Sequence, residues 1–259
     1  MRIADTVHFD WYKKAFVTFV IAALLLASAA VTGADLSAVI TGGPQAAAFL
    51  SKFMQPDLAY IPELIDPMMR TIKMSVLGTV VGFAVAVPLA FLATTVVTRN
   101  RVVTGIVRLL LNIVRTIPTL LLAAFAVAIM GIGEFTGVVT IAIFTLGVTS
   151  QLIFETIETI DYAPIEAAEA VGATRMQIAA FSIAPQVASQ LASYFFYAFE
   201  INVRASTVLG YVGAGGIGVI LNASLGLFRY DRVSVVILMI FVVVGIVDAA
   251  SEAVRRRLA

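Results

Sequence analysis

Three constellations in this chain carry residue types that could do chemistry. Val212 to Gly218 reads VGAGGIG, and Gly213, Gly215 and Gly218 have the G-x-G-x-x-G spacing of a turn that cradles a dinucleotide pyrophosphate. Glu200 and Arg204 stand one helical turn apart with Asn202 between them, inside the apolar run QLASYFFYAFEINVRASTVLG. Glu four residues before Arg is the favourable order for an intrahelical ion pair. Glu155 with Glu158, and Asp161 with Glu166, are carboxylate pairs of the kind used in acid–base catalysis. Other routes are poorly supplied. There is no cysteine and one histidine, His8, so thiolate metal sites are excluded and a histidine-based nucleophile site has almost nothing to draw on.

The elements that must position these residues are membrane spans. Of 259 residues, 61% are hydrophobic and 13% charged, with a mean hydropathy of +1.02. An ordinary soluble domain carries about 25% charged residues. Six apolar runs approach or reach the roughly 20 residues that cross a bilayer core: Ala15 to Val31, Ile72 to Val97, Ile106 to Met130, Gly137 to Thr156, Val187 to Leu209 and Val233 to Ala250. An all-α polytopic membrane protein follows. The first run ends in small residues, as a signal peptide does, but the charge pattern uses it as a retained span.

Basic residues cluster at alternate ends of the runs: Arg2, Lys13 and Lys14; Arg99, Arg101 and Arg108; Arg175; and Arg255, Arg256 and Arg257. The positive-inside rule puts both termini in the cytoplasm. The outer loops agree, the first carrying Asp35, Asp57, Glu63 and Asp66; Arg229 and Arg232 in the third are a mild exception. The chain divides into an N-terminal span with its outer loop, 1–70, and a core, 71–259. Pro44, Pro56, Pro62 and Pro67 predict an irregular outer cap with one short helix around Gln45 to Phe53. Within the spans, Pro88 is expected to break the helical ladder and Pro118 to offset a helix entry, while Arg108 and Arg115 are placed to reach the headgroups. Glu155 and Glu158 are expected to be solvated or against a partner.

The long cytoplasmic loop, 157–185, differs in kind. In DYAPIEAAEAVG, Asp161 can cap a helix, Pro164 suits its first turn, and Glu166 and Glu169 lie near the positive end of its dipole. Ile165, Ala168 and Val171 or Gly172 share one face, and Gly172 suits a C-cap. A second helical stretch, Thr174 to Ile183, runs to Pro185, where the chain turns toward the fifth span. Physically this is either a surface connector or a docking element whose small side chains admit a close partner.

Glu166-Ala167-Ala168, Gly172 and then Pro185 thirteen residues on resemble the EAA motif of the transmembrane subunits of ATP-binding-cassette importers. Ser182 and Ala184 stand where apolar residues are usual before the proline. RTIPTLLLA from Arg115, EAAEAVGAT from Glu166 and NVRASTVLGYVGAGGIG from Asn202 are similar to the PhnE family of phosphonate permeases, in outline from Met69 onward. The resemblance implies a type I importer permease fold in a bacterial inner membrane. Glu166, Ala167, Ala168, Gly172 and Pro185 would form the coupling element for a dimeric ATPase that binds ATP and magnesium. A second permease copy or sister permease and an extracytoplasmic phosphonate-binding protein complete the assembly. Permeases for phosphite and other small solutes share the frame.

A transport role needs no catalytic residue or cofactor on this chain. All four lysines precede the glycine-rich stretch and none completes a phosphate loop, so energy must come from another polypeptide. Arg204, with Asn202 and then Glu200, is expected to line a polar pathway for an anionic solute; a neutralised pair that helps two helices pack is the competing reading. The carboxylate pairs, a membrane-embedded enzyme and a passive channel remain weaker alternatives, and a net charge of +1 argues against nucleic acid. A dinucleotide is excluded by context: the next acid, Asp231, follows Gly218 by 13 residues where about 20 are needed, at the outer face of a span. Gly213, Gly215, Gly216 and Gly218, with Gly210, are expected to make a flexible outer bend or gate element instead.

Overall fold

The computed structural model describes residues 11–33, 37, 41–98 and 100–258; Arg2, His8, Asp35 and Arg99 lie outside them. All regular structure among the described residues is helical. The chain forms two compact units, Met1–Lys52 and Phe53–Ala259. In the first, α1 spans Trp11–Thr32 and is long and apolar enough to cross a membrane. Helix α2, Gly43–Phe53, is the short outer-loop helix anticipated from composition, begun slightly earlier because Pro44 is tolerated in a first turn.

The second unit is built around α3 (Ile61–Leu92), α6 (Glu134–Ile157), α9 (Ala184–Leu209) and α11 (Tyr230–Leu258). Helix α3 begins eleven residues before the anticipated span, so Pro62 and Pro67 belong to a helix and not to an irregular cap. Pro62 sits in the first turn, where its missing N–H is one that a helix leaves unpaired anyway. Pro88 lies inside the same helix without ending it.

Small residues let α3 and α6 approach. A Cβ on Gly78 would stand 2.6 Å from Ile141 Cγ2, one on Gly82 would overlap the Ala142 carbonyl, and one on Gly137 would overlap Met74 Sδ of α3. Buried hydroxyls along this seam donate to carbonyls one turn back: Ser75 to Thr71 at 2.8 Å, Thr79 to Ser75 at 2.6 Å, Thr140 to Thr136 at 2.8 Å and Thr149 to Thr145 at 2.7 Å. Polar side chains thereby enter an apolar interior already satisfied.

Two expected spans depart from straight helices. Ile106 to Met130 is a pair, α4 (Arg101–Thr116) and α5 (Thr119–Met130), bent by 93°. Ile117 is extended, as the residue before a proline tends to be, and Pro118 is extended too, so the helix stops and restarts. The bend packs on Gly147, where a Cβ would lie 3.1 Å from Val114 Cγ1 and 3.3 Å from the Arg115 nitrogen. Pro185, in contrast, does not turn the chain. A three-residue helix α8 (Arg175–Gln177), a π-helical segment Ile178–Ile183 and α9 are continuous, and the widened turn relieves the clash between the proline ring and the carbonyl four residues back. Among the described residues four helices are long and apolar enough to cross a bilayer on their own, and six spans result if α4 with α5, and Arg175–Val212 with Ile217–Gly226, which is bent from it by 47°, each count as one.

Candidate functional site

The cytoplasmic loop folds into α7 (Ala163–Ala170). Asp161 Oδ1 accepts from the Ala163 N–H at 3.0 Å, and Pro164 and Glu166 occupy the first turn. At the other end Gly172 has φ +80°, its N–H donates to the Glu169 carbonyl and the Ala173 N–H to that of Ala168, both at 3.0 Å. These two bonds make a Schellman cap, which requires the left-handed conformation that glycine supplies at little cost. Ile165 alone in α7 is buried. Glu166 and Ala167 face outward, and Ala168 borders a groove of about 400 Å³ with Val171, Gly172, Ala173, Gln177 and Phe181. Val171 and Phe181 are 85% and 79% exposed. Glu166 to Gly172 thus form one surface; Pro185 stands apart from it in the first turn of α9.

Helix α9 carries the intramembrane charges. Arg204 donates to Glu200 at 2.5 Å, the pair anticipated from spacing, and to Asp248 of α11 at 2.8 Å. Arg255, near the end of α11, reaches Glu200 at 3.4 Å. Two arginines and two carboxylates balance. The side chain of Arg204 is 49% exposed and that of Glu200 15%. Asp248 and Arg255 had no local signal in the sequence, because their partners lie 44 and 55 residues away.

Asn202 is separated from this cluster. It is fully buried, and its amide donates to Thr79 at 2.8 Å and Thr145 at 2.7 Å, tying α9 to α3 and α6. Ser75 donates to Ser206 at 3.1 Å beside it. Residues two apart on a helix point to opposite sides, so α9 shows a neutral hydrogen-bonded face inward and Arg204 outward.

The glycine stretch forms a close-packed turn between α9 and α10 (Ile217–Gly226), a helix that was not anticipated. Gly213, Gly215 and Gly216 have φ of +85°, +91° and +72°. Gly210 and Gly218 meet backbone to backbone, so a Cβ on either would overlap the other segment. Thr71 Oγ1 accepts from the Ile217 N–H at 2.7 Å, and the Gly133 N–H donates to the Gly213 carbonyl at 3.0 Å. Within the turn the Gly213 and Ala214 N–H groups donate to the Gly210 and Leu209 carbonyls at 3.0 and 3.2 Å.

Arg108 does not run to headgroups. It pairs with Glu158, donates to the Ala93 carbonyl at 2.7 Å and lies over the Phe154 ring at 4.8 Å. Glu158 is therefore a structural partner, while Glu155 accepts from Gln151 at 2.6 Å. Among the described residues no cluster of three or more histidine, cysteine or acidic side chains could hold a metal.

Comparison with known proteins agrees with this architecture. Residues 86–259 match the model of a family described as binding-protein-dependent transport system inner membrane component. The phosphite transport system permease protein PtxC of Stutzerimonas stutzeri is 36% identical over 246 residues, covering 95% of this chain and 90% of that protein. The phosphate-import permease protein PhnE of Mycolicibacterium smegmatis is 32% identical over 196 residues, 76% of this chain and 37% of that protein. Among solved structures, an inward-facing MetNI methionine transporter aligns with a TM-score of 0.70 at 23% identity, over 78% of this chain and 99% of its own.

Proposed function

The chain belongs to the family of binding-protein-dependent inner membrane transport components and is the multi-pass permease subunit of an ATP-binding-cassette importer; from that premise we propose that it carries a small phosphorus oxyanion, phosphonate or phosphite, inward. Permeases of this family typically work with ATPase subunits and substrate-binding proteins, and membership is consistent with a non-enzymatic transport role.

The charge cluster of Glu200, Arg204 and Asp248, with Arg204 half exposed, carries the pathway reading. Charged groups within membrane spans are costly and tend to face a protein interior or water-filled space. Arg204 and Asp248 are left open by their own subunit while Glu200 is largely covered behind them, and the strongly exposed Arg256 and Glu252 follow on the same helix α11. An aqueous boundary along α9 and α11, shared with a second permease, accounts for both. Arg204 attracts an anion and the two carboxylates keep it from being held, which a conducting site needs. Asn202 supports the pathway from behind, by fixing α9.

Helix α7 is the proposed dock for the ATPase. Its small outward side chains permit close approach, and the Glu166 carboxylate has no hydrogen-bond or ion-pair partner among the described residues. The glycine turn, with Gly213, Gly215, Gly216 and Gly218, is proposed as a gate element beneath an external phosphonate-binding protein. Its tight packing suits a part that moves with α9 and α10 as a body.

The substrate class rests on the similarity to a phosphite permease along nearly the whole chain. The binding protein that copurifies with this permease, screened against methyl-, ethyl- and aminoethylphosphonate, phosphite and phosphate, is expected to bind one of them. Binding of a sugar or amino acid and none of these anions would overturn the substrate class and leave the permease intact. Uptake in vesicles is expected to need ATP, the ATPase and the binding protein together. A bulky residue at Ala167 should release the ATPase or uncouple it, and normal copurification with normal uptake would refute the dock.

A further inference from the structure

The turn that follows α3, residues 93–97, has backbone carbonyls that no helix satisfies. Two arginines from different elements take two of them. Arg108 of α4 donates to the Ala93 carbonyl, and Arg175 of α8 donates to the Val96 carbonyl at 3.3 Å. Arg175 also holds Glu169 of α7 at 2.8 Å. Its guanidinium therefore joins the C-terminal half of α7 to the turn that follows α3. The other end of α7 is tied elsewhere: Gln186 of α9 accepts from the Asp161 N–H at 3.2 Å and donates to the Asp161 carbonyl at 3.3 Å, and Ser182 donates to the Pro164 carbonyl at 3.2 Å. Between the two attachments Ile165 enters a buried cluster with Ala90, Ala93, Val96, Ile157 and Ile178.

We propose that Arg175 is a positioning residue that makes α7 drive the turn that follows α3, so that a push on α7 moves α3, through that turn, and α9 together. Without it, the polar attachments of α7 lead to the π-helical segment and α9 through Ser182 and Gln186, and the end of α3 is reached by the apolar packing around Ile165 alone. A guanidinium suits the task because its planar fork serves a carboxylate and a carbonyl at once, whereas an ammonium is a single point of charge. This rests on the reading of α7 as the ATPase dock.

The chain has no cysteine, so label pairs can be introduced freely. In the complete importer in lipid vesicles, spin labels at Ala170→Cys and Leu92→Cys are expected to give one narrow distance distribution. Arg175→Ala should broaden it, Glu169→Gln should broaden it less, and Arg175→Lys should fall between the wild type and alanine. Copurification of the ATPase should be unchanged in Arg175→Ala, while phosphite taken up per ATP hydrolysed falls at least fivefold. An unchanged distance distribution together with a wild-type ratio in Arg175→Ala overturns the proposal. If Arg175→Ala fails to fold, Glu169→Gln carries the same test with little change of volume. Failure of the wild-type chain to retain any ATPase would instead sink the docking reading, and the distance measurement would still decide the tie between α7 and α3.

Discussion

Helix α9 has two faces that handle polarity in opposite ways. Toward α3 and α6 it presents Asn202 and Ser206, both fully buried, neutral and hydrogen-bonded to threonine and serine hydroxyls. Toward α11 it presents Glu200 and Arg204, charged, balanced by Asp248 and Arg255, with Arg204 half open. Short neutral side chains can be satisfied inside a packed seam and hold three helices in register. Full charges are kept where water can reach them. The first face is scaffold, and the second is where a solute could be felt.

The seam should be the most sensitive to substitution. Gly82→Leu or Gly78→Leu places a side chain against the Ala142 carbonyl or Ile141, where there is no room. Each is expected to cost about 3 kcal/mol or more, read as loss of folded protein after detergent extraction. Tolerance of both would mean the seam is looser than its geometry. Next, Asn202→Ala removes two interhelical hydrogen bonds and should cost about 1–2 kcal/mol, with a lowered Tm and normal ATPase binding. Gly172→Ala separates packing from backbone conformation: nothing lies within 4 Å of a Cβ there, but φ is +80°, so a loss of about 1 kcal/mol is expected. The same change at Gly226, with open space and an ordinary φ, should cost nothing measurable. At the charged face, Arg204→Ala should change Tm by less than the seam variants, within about 1 kcal/mol, because half-exposed ion pairs contribute little to stability.

The two faces were not equally legible in the sequence. The pair of Glu200 with Arg204 and the caps of α7 depend on residues within a few positions, and local spacing predicts them. Asp248 could not be paired from sequence, because nothing local links it to α9. Asn202 was grouped with its charged neighbours by sequence proximity, whereas helical geometry sends it the other way. The prolines teach the same lesson. Pro118 signals a kink, but its 93° bend is fixed by packing on Gly147. Pro185 signals a turn, yet a π-helical segment carries the helix through it. From sequence, Arg108 is expected at the membrane edge and Glu158 solvated or against a partner subunit. Each lacked a visible partner in sequence, and each is the other's partner in space.

The central claim is that the charged face of α9 serves transport and the neutral face serves the fold. Phosphite uptake by the reconstituted importer, measured for Arg204→Ala and Asn202→Ala at matched amounts of assembled complex, tests it most directly. Arg204→Ala should keep its Tm and its ATPase yet lose roughly tenfold or more of the uptake rate, while Asn202→Ala should lose stability and, once assembled, transport near the wild-type rate. Wild-type uptake by Arg204→Ala would contradict the account.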